Sequence, residues 1–117
     1  MGRTFNDIAH MGTCEVCGKS APVVVVSSRL GPCSCAYCED CYDAGLESYS
    51  MIVAAVWNCG WEDMAEWAKA SIRKTLTKLR KTEEEMLADV KARDNSFIAA
   101  MQNYEEYCHE QDIKEEL

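Results

Sequence analysis

Apolar positions change their spacing along this chain, and each change marks an element. Val23-Val24-Val25-Val26 is β-branched throughout, which restricts χ1 and favours a strand. Ser27-Ser28-Arg29 suits a turn or the start of a returning strand, and Leu30-Gly31-Pro32 punctuates the chain again. From Cys38 the period lengthens. Leu46, Tyr49, Ile52, Val53 and Val56 recur at three- and four-residue steps, which predicts one helix from about Cys38 to Trp57 with a single buried face. Glu39 and Asp40 fall in its first turn, where acids face unpaired amide dipoles. Gly45 weakens this helix, and Asn58-Cys59-Gly60 ends it.

Neither Gly nor Pro occurs from Trp61 to Leu117. Trp57, Trp61, Met64 and Trp67 form an aromatic cluster, read as the seam where the next helix packs on the previous one; the competing reading is an exposed peptide groove. Ile72, Leu76, Leu79, Met86, Val90, Phe97, Met101 and Tyr104 then make a heptad-like stripe, interrupted by Glu83. A lone helix cannot bury such a stripe. One helix from 62 to about 110 would be on the order of 70 Å long and would pair with a second chain as a coiled coil. The competitor is a break at Asp94-Asn95-Ser96, each a capable N-cap, giving an antiparallel helical hairpin. The absence of Gly and Pro favours the longer helix. Residues 1–12 read as a flexible leader, and Glu110 to Leu117 as an acidic, fraying end.

Cysteine spacing adds chemistry. Cys14-Glu15-Val16-Cys17-Gly18 and Cys38-Glu39-Asp40-Cys41 are two Cys-x-x-Cys pairs with twenty residues between them. In each pair the two-residue gap lets a tight turn aim both sulfurs at one point, and the intervening chain can run out and return as a hairpin. Four thiolates then close a tetrahedron around one Zn²⁺ and leave no position for water or substrate, so the ion is structural. Cys35-Ala36-Tyr37-Cys38 has the same spacing, which keeps Cys35 open as a ligand. Cys33 and any cysteine left over would be free thiols or part of a second site. His10 reads as a bland histidine, and Cys59 and Cys108 as small buried apolar residues. No βαβ context supports a redox pair.

At 117 residues the chain divides into a zinc-binding domain, 1–60, and a helical, coiled-coil-like segment, 61–117. Eight cysteines in a secreted chain would suggest disulfides, but Met1 to Met11 contains no apolar run, and no stretch approaches a membrane span. The expected location is therefore cytoplasmic, with no membrane contact. Net charge is −8, and four thiolates on one Zn²⁺ would take it to about −10. Such a surface repels a phosphate backbone. Yet Lys69 to Lys81 carries six bases and no acid, while eleven acids and three bases follow Thr82. The bland reading of that basic run is a solvated helix face; it also admits pairing with the acidic C-terminal third across a dimer.

A knuckle, a hairpin and a helix bearing the second pair describe a small α+β fold, a treble-clef-like zinc finger followed by a long helix or helical hairpin. Cys14-Glu15-Val16-Cys17-Gly18-Lys19-Ser20, then Gly31-Pro32, then Cys38-Glu39-Asp40-Cys41, resembles the N-terminal zinc-binding domain of the ClpX protein unfoldase over about residues 14–50. The resemblance implies zinc ligation by Cys14, Cys17, Cys38 and Cys41, and a domain that dimerises and docks partner proteins. Cys33 and Cys35 are additions to that pattern, the spacing is slightly longer, and no nucleotide-binding motif follows, so unfoldase activity is not implied. No Gly-x-Ser-x-Gly, Walker loop, His-Glu-x-x-His or zinc-deaminase pattern is present. The expected function is therefore non-enzymatic: a zinc-stabilised protein-interaction module, a homodimeric adaptor or inhibitor docking on another macromolecule. The alternative is a small nucleic-acid-binding regulator using the basic face 69–81. A variant of the first reading has the acidic surface imitate nucleic acid.

Overall fold

The valine run lies at the centre of a three-stranded antiparallel sheet in the computed structural model, which describes residues 5–116. After a single helical turn, α1 (Phe5–Ile8), the strands are β1 (His10–Thr13), β2 (Ser20–Ser27) and β3 (Ser34–Cys38), in that order across the sheet. β1 pairs with β2 from His10↔Val23 to Thr13↔Ser20, and β2 pairs with β3 from Val23↔Cys38 to Ser27↔Ser34. The expected leader is thus corrected over its described part: its backbone groups pair with β2, and Gly12 lets the Val23 side chain approach, since a Cβ there would meet it at 2.9 Å. Met1–Thr4 lie outside the described residues.

Ala21, Val23, Cys35, Tyr37, Cys41 and Leu46 belong to a first core under the sheet. The helix expected from Cys38 to Trp57 is two: α2 (Glu39–Asp43) and α3 (Tyr49–Cys59). Gly45 breaks it with φ of 74°, in the left-handed region that an ordinary side chain resists. Ser48 then starts α3 as its N-cap, accepting from the Met51 amide at 3.3 Å. The three- and four-residue steps ran across the break because two cores happen to be in phase. Leu46 serves the first; Ile52 and Val56 join Ile72, Leu76 and Met86 in a second.

The second core is closed by helices. A 3₁₀ turn at Trp61–Asp63 leads to α4 (Glu66–Leu79), and α5 (Glu83–Glu116) follows. The chain therefore breaks at Arg80-Lys81-Thr82, and α5 runs unbroken through Asp94-Asn95-Ser96, which corrects both sequence alternatives. Arg80 adopts φ of 58° where glycine is usual, and the Lys81 amide reaches back to Leu76 O at 2.9 Å, the Schellman way of stopping a helix. Thr82 caps α5: its Oγ1 accepts from the Glu85 amide at 3.1 Å and donates to the Glu85 carboxylate at 3.3 Å. α5 remains helical to Glu116, across the end expected to fray; Leu117 lies outside the described residues.

α3 and α5 run side by side in the same direction. The Tyr49 hydroxyl donates to Asp89 at one end, and Trp57 at the other donates from Nε1 to Asp94 at 3.1 Å while its ring meets Phe97 edge-on at 5.2 Å. α4 returns between them in direction: Lys69 and Arg73 lie over the Trp61 ring near the end of α3, and Lys81 over the Tyr49 ring near its start. The aromatic seam is thereby divided. Trp61 and Met64 pack on the second core, Trp57 reaches α5, and Trp67 is 58% exposed.

Glu47 joins the two cores. Its carboxylate is fully buried and accepts from Ser28 Oγ at 2.9 Å, from the Arg29 amide at 3.2 Å and from the Tyr37 hydroxyl. Its own amide donates to Thr75 Oγ1 on α4 at 3.1 Å. Burial, then the hydrogen bond to Glu47, pushes the Tyr37 hydroxyl pKa upward, so it remains a donor. Removing the acceptor strands three donors away from water. We expect Glu47→Ala to cost about 3 kcal/mol in urea unfolding of the purified protein, and Glu47→Gln about half that. A cost under about 0.5 kcal/mol for Glu47→Ala would remove this residue's joining role.

Candidate metal centre

The first sulfur pair sits on a turn that leaves β1. Gly18 N–H donates to Cys14 O at 2.8 Å, and Cys14 N–H to Lys19 O at 2.9 Å, curling the chain so that both thiols point the same way. Gly18 holds φ of 75°; an added Cβ would meet nothing within 4 Å, so the demand on this residue is one of backbone conformation. The second pair straddles the junction of β3 and α2. Cys38 ends the strand and is the N-cap residue of α2, with φ −75° and ψ 163°, and Cys41 lies in the short helix. Glu15 fastens one half to the other: its amide donates to Ala36 O at 2.9 Å, and its carboxylate accepts from the Ala36 amide at 2.5 Å. The sequence offered no signal for this clasp, because Glu15 reads there only as a spacer.

The Sγ atoms of Cys14, Cys17, Cys38 and Cys41 all lie within 4.8 Å of one another, and Cys17 and Cys38 are 3.9 Å apart. Zinc–sulfur bonds of about 2.3 Å require tetrahedral edges of roughly 3.8 Å. The cluster is therefore of the size that holds a metal ion, and sulfur-only coordination suits zinc. Three of the four residues are buried and Cys17 is partly so. Burial raises the Cys14 pKa, but the amides of Cys17, Cys38 and Val16 and the Cys17 side chain more than offset it, bringing it down to about 7. Burial pushes Cys17 and Cys41 upward, and the neighbouring sulfurs raise Cys41 further. Cys14 is thus the easiest of these three to ionise while Cys17 and Cys41 resist it, an imbalance that a divalent cation held at the centre would remove.

Other sequence candidates lie elsewhere. Cys35 is buried with Sγ 3.7 Å from Ser48 Oγ, outside the four-sulfur group, and Cys33 is exposed on the β2–β3 connection. His10 is exposed on β1 and is not part of the group. Cys59 and Cys108, expected to be buried, are exposed and partly buried respectively, because Cys59 ends α3 and Cys108 lies on α5 beyond both cores. In the basic run, Arg73 pairs with Glu83 at 2.7 Å; Lys74, Lys78 and Arg80 are exposed. None of the described helices is long and apolar enough to cross a membrane. Compared with family models, with curated proteins and with solved structures, the chain matches none of them.

The geometry sets the outcome of cysteine replacement. Cys14→Ser, Cys17→Ser, Cys38→Ser and Cys41→Ser should each lose stoichiometric zinc in elemental analysis, whereas Cys33→Ser and Cys35→Ser should retain it. Cobalt substitution should give the intense visible bands of tetrahedral sulfur coordination, fading as pH falls, since protons compete for thiolates. Zinc retained by Cys17→Ser but lost from Cys35→Ser would reassign the fourth ligand.

Proposed function

We propose that this chain is a non-enzymatic, zinc-stabilised protein-interaction module: a treble-clef-like finger, with Cys14, Cys17, Cys38 and Cys41 on one structural Zn²⁺, that presents helices to another macromolecule. The observation that carries the reading is the pairing of a four-sulfur cluster with a helix whose outer half has no partner among the described residues. Four thiolates fill the zinc coordination shell, which leaves the ion nothing to bind or polarise. Beyond the second core, α5 exposes Phe97, Met101, Tyr104 and Tyr107, each between 44% and 63% accessible. Large apolar groups in a row on one element mark a docking surface more often than an ordinary solvated one. The treble-clef reading is supported by the order of parts: a knuckle at Cys14–Gly18, the β2–β3 hairpin, then α2 carrying Cys41. The likeness of the cysteine motifs to the ClpX zinc-binding domain points the same way, towards docking of protein partners. Thiolate ligands suit a reducing, cytoplasmic setting.

The nucleic-acid reading keeps one supporting observation. Exposed Trp67, Lys74 and Lys78 share a face of α4 without an acid from Lys69 to Lys81. A net charge of −8 opposes it.

The test is affinity capture from the source cell with immobilised zinc-loaded protein, with and without nuclease. A protein retained by the wild type, lost with Met101→Ser/Tyr104→Ser and indifferent to nuclease is expected. Capture that vanishes with nuclease, or a gel shift abolished by Lys74→Glu/Lys78→Glu and weakened steeply by salt, would replace this reading with the nucleic-acid one.

A further inference from the structure

Three sulfur side chains outside the four-sulfur cluster line one cavity. Cys33 and Cys35 are two residues apart where β3 begins. The Cys33 carbonyl accepts from the Ser28 amide at 2.8 Å, which carries the β2–β3 ladder one step past Ser27↔Ser34. Cys33 and Cys35 therefore share a face of the strand. Both line a cavity of about 230 Å³, with the exposed Cys33 towards solvent and the buried Cys35 towards the core. Met51 of α3 lines it too.

Two contacts fix Met51 there. Cys35 Sγ lies 3.7 Å from Ser48 Oγ, the cap that accepts from the Met51 amide at 3.3 Å. On the other side, a Cβ on Gly31 would meet the Met51 terminal methyl at 2.5 Å and its sulfur at 3.8 Å. The missing side chain of Gly31 thus admits the thioether beside the segment that leads to Cys33. An adjoining cavity shares Cys33 and Met51 and is lined also by Cys59 and Met64, so sulfur continues towards the end of α3.

The rest of the lining decides the ligand. Glu15 supplies the one carboxylate among the described lining residues, and it already accepts from the Ala36 amide; no imidazole is among them. Hard cations need several oxygen donors, and zinc needs four ligands. Two thiolates and a thioether form a soft set, which selects monovalent copper. A disulfide fits less well. Alternate residues of a strand have Cα atoms about 7 Å apart, at the outer limit for a bridge, whereas an interposed ion lengthens the span by two metal–sulfur bonds.

We propose that Cys33, Cys35 and Met51 form a second metal site, which holds one copper(I) ion between the two thiolates with the Met51 thioether as third donor. Binding releases both thiol protons to solvent, and the Ser48 hydroxyl then donates to the Cys35 sulfur. The site goes beyond the interaction reading and does not depend on it.

The test is anaerobic titration of the full zinc-loaded chain with copper(I) against bathocuproine disulfonate, with zinc release followed by a metallochromic dye and folding by circular dichroism. One equivalent of copper should leave the chelator while zinc stays bound. Cys33→Ser and Cys35→Ser should each weaken copper binding by about a hundredfold or more, beyond the effect of losing a neighbour that only orients a ligand. Met51→Leu, which keeps the volume, should weaken it about tenfold. Cys59→Ser should leave it within about twofold, since the adjoining cavity supplies no ligand. Cys33 is exposed, so its replacement leaves the fold intact even if that of buried Cys35 does not. Zinc released mole for mole with the first copper would place copper in the four-sulfur cluster and overturn the proposal. Unchanged affinity in Cys33→Ser would also overturn it, as would a loss in Cys59→Ser equal to that in Cys33→Ser. A chain that holds no zinc yet still takes copper through Cys33 and Cys35 would remove the zinc reading and leave this site standing.

Discussion

Four sulfurs gathered within 4.8 Å under a sheet are a demand that the polypeptide cannot meet by itself. Ionised, they repel one another in a poorly solvated site; protonated, they offer weak hydrogen bonds and little to hold them together. A divalent ion held there would reverse the sign of that interaction. It would draw the knuckle after β1 against the junction of β3 and α2, and in a region this small it would supply cohesion that the apolar residues alone are too few to provide. The first core is organised about that centre, since Cys14, Cys38 and Cys41 are themselves members of it. Glu15 and Glu47 extend the constraint outward, one clasping the knuckle to β3, the other tying the sheet to α4.

The helical part obeys a different logic. Its core is mainly aliphatic, with Met86 and Ile72 wholly buried, and none of the four clustered cysteines belongs to it. Glu47 and the Ser48 cap lie at the joint between the two regimes, where Gly45 turns the chain out of α2. A buried carboxylate with three donors is stiff in direction as well as costly to disturb, so the orientation of α3 relative to the sheet is set by hydrogen bonds as much as by packing.

What could be read from residues alone follows this division. The valine strand, the cysteine pairs and the end of α3 at Gly60 were legible because each depends on local spacing or on glycine. In the sequence the hinge at Gly45 looks only like a weak point within one helix, since Leu46 and Ile52 preserve the helical step while facing separate cores. The stop at Arg80 carries no glycine signal, because a non-glycine residue takes the left-handed conformation there, held by the Lys81 amide. The legible mark comes one step later: Thr82-Glu83-Glu84-Glu85 has the capping-box pattern, a stronger start signal than Asp94-Asn95-Ser96. The pairing of β1 depends on contacts with a strand ten residues away, which neither charge nor periodicity in residues 1–12 announces.

The common direction of α3 and α5 has a mechanical consequence. α3 begins beside the sheet, where Ser48 Oγ touches Cys35, and α5 keeps pace with it before running on alone. From the level of Asp89 to Glu116 is about 40 Å of helix, all of it leading away from the sulfurs. The four-sulfur cluster and the far end of α5 are thus the footing and the end of a boom, and an ion lost from the cluster would be felt at that far end as lost aim rather than as a lost contact.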